Sequence, residues 1–160
     1  MSRNQIHVKI GEVKTGGGTD ILKATLGSCV GIAFLDRQSG RYGLAHCLLP
    51  DDPAAVLTLS AKYVTHAIPA LIELMKLKSE DLKRIEVYLA GGGNMMEQLN
   101  RRNPRHIGQL NFEMAEKILK KMGIEVAGSL KGGDQACSIL VDCESGTVEM
   151  KRFDKISSKE

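Results

Sequence analysis

One turn constrains this chain more than any other feature. DRQSG at 36–40 separates two apolar runs, one passing through TLGSCVGIAF and the other reading RYGLAHCLLP. Both runs have strand length and a polar, glycine-ended turn between them, which predicts a hairpin. With a loop from Arg37 to Gly40, Asp36 pairs with Arg41 and paired numbers sum to a constant. Cys29 then faces Leu48. His46 lies two residues from Leu48 and shares the face of Cys29, while Cys47 points to the other face. A diagonal neighbour of this kind is roughly 7–8 Å away at Cα, within reach of an imidazole.

A thiol beside an imidazole has chemical use. A free thiol has a pKa of about 8.5, so little of it is thiolate near neutral pH. A neighbouring histidine can take the thiol proton and later return it to a leaving amine. Gly27 and Gly31, flanking Cys29, suggest a bulge or close backbone approach. Backbone N–H groups near Cys29 are candidates for stabilising an oxyanion. The competing reading is structural: buried free cysteines are ordinary core residues.

Composition narrows the alternatives. The 160 residues suit one domain, 1–160, with a core that needs no staples. Lys and Arg number 22 against 19 Asp and Glu, a net charge of +3. That balance, with no basic patch interleaved with aromatics, argues against nucleic acid. Arg101, Arg102 and Arg105 form a short basic cluster, read as a solvated loop. No apolar run is long enough to span a membrane. MSRNQIHVKIGEVK has no apolar stretch of the signal-peptide kind, so the expected location is cytoplasmic. Cys29, Cys47, Cys137 and Cys143 are then expected to be reduced. They show no C-x-x-C spacing, which argues against a zinc site built with His46.

The rest of the chain reads as mixed strands and helices. Residues 6–13 alternate like a short strand, 15–20 is a glycine-rich loop, and 22–35 reads as one long strand. A helix is expected over 57–76, capped by Thr58 or Ser60, with Pro69 kinking or dividing it. SEDL at 79–82 is a further cap-like segment, and 85–92 is a buried strand ending in glycines. Residues 94–108 look irregular. A helix over 111–122 is expected to start at Asn111 and stop at Gly123. Strands follow at 124–130, 136–143 and 147–153, the last two as a hairpin. This pattern predicts α+β with largely antiparallel sheets. His66 reads as a surface or packing residue, and His7 and His106 have no evident partner. The glycines 91–93 lack the Lys-Ser/Thr of a phosphate loop and read as a tight turn. Asn94 and Asp134 are weaker site candidates.

TLGSCVGIAFLDRQSGRYGLAHCLLP resembles the central motif of the CheD-type chemoreceptor glutamine deamidases. The likeness continues through GE at 11–12, YVTHAIPALIELM at 63–75, AGGGNMM at 90–96, IG at 107–108 with Asn111, KKMGIEV at 120–126, GGD at 132–134 and SGTVEMK at 145–151. It implies a fold like the catalytic domain of cytotoxic necrotizing factor toxins: two packed, largely antiparallel or mixed sheets with helices on the outer faces. It implies Cys29 as nucleophile and His46 as general base, hydrolysing receptor glutamines to glutamate with no metal or cofactor. The implied partners are the cytoplasmic helices of methyl-accepting chemoreceptors and a CheC-type phosphatase. The family's third catalytic member, a threonine six residues before the cysteine, falls on Lys23. Thr25 is the nearest substitute, and in an unbroken strand it shares the face of Cys29. An arginine of the family near Cys137 has no counterpart here. The rival expectations are a binding module without catalysis and a different Cys–His acyl transfer.

Overall fold

The computed structural model describes residues 3–54, 58–94 and 106–153. These form strands β1 (Gln5–His7), β2 (Val13–Gly16), β3 (Ile21–Leu26), β4 (Val30–Asp36), β5 (Arg41–Cys47), β6 (Glu86–Gly91), β7 (Val126–Lys131), β8 (Cys137–Asp142) and β9 (Thr147–Arg152). Two helices, α1 (Val64–Leu74) and α2 (Ile107–Lys121), accompany them, with a 3₁₀ turn at Ser79–Lys83. One sheet has the order β1-β3-β8-β9 and the other β2-β5-β4-β6-β7. Pairing is antiparallel except for β1 with β3 and β6 with β7. The class is α+β with two packed mixed sheets, as expected.

The hairpin has the expected register: Asp36 pairs with Arg41 and Gly31 with His46. The two faces of β4 then go to different cores. Val30, Ile32 and Phe34, all fully buried, point with Ala45 and Cys47 toward α1 and α2. Each such apolar side chain contributes roughly 1.5–3 kcal/mol of burial. Ala33 and Leu35 point the other way with Tyr42 and Leu44, against Leu22, Leu26 and Ile139 of the four-stranded sheet. Both helices thus cover the outer face of the five-stranded sheet, and the inter-sheet layer is a core of its own.

Several expected elements divide or shift. The strand expected over 22–35 is two strands, β3 and β4, in different sheets, and the chain bends at residues 27–29 to pass between them. The run 6–13 likewise gives the end of β1, a turn, and the start of β2. Thr58 and Ser60 do not cap α1. Its first N–H groups, on Val64 and Thr65, donate instead to the carbonyls of Leu49 and Pro50, so the end of the hairpin strand caps the helix. Pro69 lies inside α1 without dividing it. The expected helix start at Leu57 and the cluster Arg101, Arg102 and Arg105 lie outside the described residues, as does most of 94–108. Helix α2 begins at Ile107, four residues before the expected cap Asn111, with His106 as its N-cap. Gly123, at φ +75°, ends it as predicted.

Candidate active site

The inter-sheet bend puts Cys29 where the two sheets meet. Cys29 sits just before β4, 5% exposed, in the inter-sheet core with Leu26, Ala90 and Cys137. His46 is on β5 opposite Gly31 and only 4% exposed. Alternation along β4 and β5 gives both side chains the same inter-sheet face, and Cys47 lies in the helix-side core. Cys137 and Cys143 flank opposite ends of β8, about 20 Å apart by strand rise, and cannot share a metal with Cys29.

The imidazole of His46 is held from the other sheet. Its Nδ1 lies 2.9 Å from the Val8 carbonyl. A carbonyl only accepts, so Nδ1 carries the hydrogen and Nε2 is left as the basic nitrogen. Val8 is fixed in turn, its N–H donating to the Lys23 carbonyl in β3. The backbone of His46 bonds on its other edge to Gly11 and Glu12. Burial lowers the His46 pKa and His7 lowers it further, while the Val8 bond and the Glu12 carboxylate oppose the shift. Burial raises the Cys29 pKa. Both shifts favour the uncharged forms, a neutral thiol and a neutral imidazole.

The Cys29 bend is gripped by a glycine loop. Gly92 N–H donates to the Cys29 carbonyl (2.8 Å) and Gly93 N–H to that of Gly27 (2.9 Å). Gly91, at φ +109°, runs so close that a Cβ there would lie 2.2 Å from the Cys29 oxygen. The tight turn expected at 91–93 does not form: Gly91 ends β6, and Gly92 and Gly93 run on beside the bend as a wall of the site. Helix α2 closes it from behind, Asn111 donating from Nδ2 to the carbonyls of Ser28 (3.0 Å) and Leu48 (2.9 Å).

Thr25 does not stand beside Cys29. The parity argument required one unbroken strand, and the bend ends β3 at Leu26. Thr25 is exposed on the outer face of β3, opposite Ser138, while Leu22, Ala24 and Leu26 point inward. Lys23 shares that outer face. The orienting contact to His46 comes from the backbone of Val8, which leaves no side-chain signature in a sequence. His66 is buried in α1 with Nδ1 3.2 Å from Thr58 Oγ1 and Nε2 3.3 Å from Asp52, pinning the loop after β5. His106 accepts the Gln109 N–H at the start of α2. Asn94 donates its N–H to the Gly133 carbonyl, joining the glycine loop to the turn that carries Asp134.

The sequence profile described as "CheD chemotactic sensory transduction" matches residues 48–152, more than half of the chain, beginning just after His46. Full-length relatives extend the likeness across both site residues. "Probable chemoreceptor glutamine deamidase CheD 2" of Ruegeria sp. (strain TM1040) is 31% identical, covering 96% of this chain and 94% of its own. A protein of Bdellovibrio bacteriovorus named "Probable chemoreceptor glutamine deamidase CheD" is 34% identical over 84% of this chain and 86% of its own. One of the same name from Archaeoglobus fulgidus is 34% identical over 92% and 93%.

Proposed function

This chain belongs to the CheD family, and from that premise we propose that it is a protein-glutamine glutaminase acting on chemoreceptors. The observation that carries the reading is the pair of Cys29 and His46 on one inter-sheet face, with His46 Nδ1 committed to Val8. Nε2 takes the Cys29 proton as Sγ bonds to the carboxamide carbon of a glutamine side chain. A tetrahedral oxyanion forms. His46 returns the proton to the nitrogen, the C–N bond breaks, and ammonia leaves a thioester. A water then gives its proton to His46 and attacks the thioester carbon. The C–S bond breaks, the thiol is restored, and the side chain is glutamate. The chemistry as written uses no metal or organic cofactor.

The substrate side chains are glutamines on the cytoplasmic helices of methyl-accepting chemoreceptors, and each event adds a negative charge to a helix surface. The reaction is assigned to the cytoplasm. Among the described residues no helix is long and apolar enough to cross a membrane. Incubation with a receptor fragment tests the reading: each modified site gains about one dalton by mass spectrometry, the amide-to-acid change. Equal conversion by wild type and Cys29→Ala would sink it.

A second reading is favoured by Lys23 standing where the resemblance expects threonine: a signalling module that binds receptors and a CheC-type phosphatase without turnover. Binding with no ammonia release is its signature.

A further inference from the structure

We propose that Asn111 is a positioning residue that turns the Cys29 backbone N–H into the oxyanion donor of this site. The inference rests on the deamidase reading and adds to it a residue outside the Cys–His pair.

Asn111 lies in the second turn of α2, fully buried, and one carboxamide reaches both strand ends that carry the pair. It grips the carbonyl of Ser28, the residue before the nucleophile, and that of Leu48, two residues past His46. Both of its N–H groups are committed. The reversed amide would set Oδ1 against two carbonyls, so its orientation is fixed. Among the described residues Oδ1 has no hydrogen-bond partner. An unpaired buried oxygen costs about 1–3 kcal/mol, so stability alone is a poor account of this residue.

Control of one end of a peptide unit is control of the other. The Ser28–Cys29 unit is planar, and in a trans peptide the N–H points opposite to the preceding C=O. Holding the Ser28 oxygen against α2 therefore aims the Cys29 N–H away from it. Among the described residues that N–H also has no partner. In a regular ladder Cys29 and Gly92 exchange two bonds. Here Gly92 N–H donates to the Cys29 carbonyl, and among the described residues the reciprocal bond is missing. Gly92 stands at φ +65°, and its carbonyl lies against Gly108, 2.7 Å from where a Cβ on that residue would be. A free N–H on the nucleophile itself is adjacent to any tetrahedral carbon bonded to Sγ, and such a donor acts where charge develops.

The experiment separates geometry, positioning and chemistry. In the NMR spectrum of the wild-type protein, Asn111 Nδ2 should show couplings across hydrogen bonds to the carbonyl carbons of both Ser28 and Leu48. Their absence overturns the proposal whatever the variants do. In Asn111→Ala, kcat/KM for deamidation should fall about 100-fold. The affinity for a peptide bearing a side-chain aldehyde, which adds the Cys29 thiol across its C=O, should fall by a similar factor. Alkylation of Cys29 by iodoacetamide develops no oxyanion and should change less than about threefold. Turnover within threefold of wild type, or alkylation falling as far as turnover, overturns it. Asn111→Asp, of nearly the same size but lacking both donors, repeats the test if the alanine variant does not fold. Couplings present in a wild-type protein that releases no ammonia would reject the deamidase reading alone.

Discussion

The two ends of the β4–β5 hairpin are built on opposite plans. At the turn end, Asp36 is fully buried and fully answered: Arg84 meets both of its oxygens at 3.0 Å and Ser39 Oγ meets one at 2.7 Å. These contacts, Arg84 foremost, lower its pKa to about 2. At the other end, Cys29 and His46 are nearly as buried but left open. Among the described residues neither is paired to an opposite charge, and His46 keeps one nitrogen uncommitted. The same ladder thus carries a closed polar cluster that holds the fold and an open one that the proposed reaction uses to exchange a proton. Burial alone does not separate them; completeness of the partner set does.

The comparison breaks most sharply at Gly91. Gly91→Ala adds a Cβ at 2.2 Å from the Cys29 oxygen in a left-handed conformation. It should cost about 2–4 kcal/mol in urea unfolding and cut kcat/KM about 100-fold. Its control at the closed end is Gly40→Ala, at φ +72° with open space around it, which should cost about 1 kcal/mol and leave turnover per folded molecule unchanged. Asp36→Asn comes next. A carboxylate with a lowered folded pKa stabilises above its unfolded value of 3.8 and loses that contribution as pH falls through about 2. The variant should therefore be about 2 kcal/mol less stable near neutral pH, with the gap to wild type narrowing as urea midpoints are followed down to about pH 3. Turnover should not follow it.

The open end has its own pH signature. Burial lowers the His46 pKa and raises that of Cys29, so kcat/KM should hold a plateau between an acid limb and an alkaline limb spaced wider than those of a free imidazole and a free thiol. A resting thiolate–imidazolium pair would instead titrate the thiol well below its ordinary range, and an ultraviolet thiolate titration tells the two apart. The smallest effect is expected at Thr25. Exposed and outside the inter-sheet layer, Thr25→Ala should change stability by less than about 0.5 kcal/mol and turnover by less than about twofold.

What was legible in the sequence followed from local chemistry. The turn at 37–40 sets the hairpin register, and with it the shared face of Cys29 and His46. Counting by twos failed for Thr25 because it assumes one sheet, whereas the chain changes sheets at residues 27–29. Gly27 was readable as a close approach, not as a crossing. Asn111 matched a cap by type, but the helix starts earlier, and a tertiary clamp has no local pattern. The glycines 91–93 were legible as the end of a strand, but the tight turn expected of them does not form. Their grip on the Cys29 bend joins residues more than 60 apart in the chain, and pattern reading does not span that distance. Val8 acts through its backbone and could not have been found from its side chain.

The bend between the sheets also sets when in folding the site is completed. The bond from His46 to Val8 spans 38 residues, that from Asn111 to Leu48 spans 63, and that from Asn111 to Ser28 spans 83. Contacts this distant in the chain form late, after loop-closure entropy has been overcome. A nascent or partly opened chain therefore carries a cysteine and a histidine that are not yet a pair. The proposed reactive centre is a readout of the finished fold.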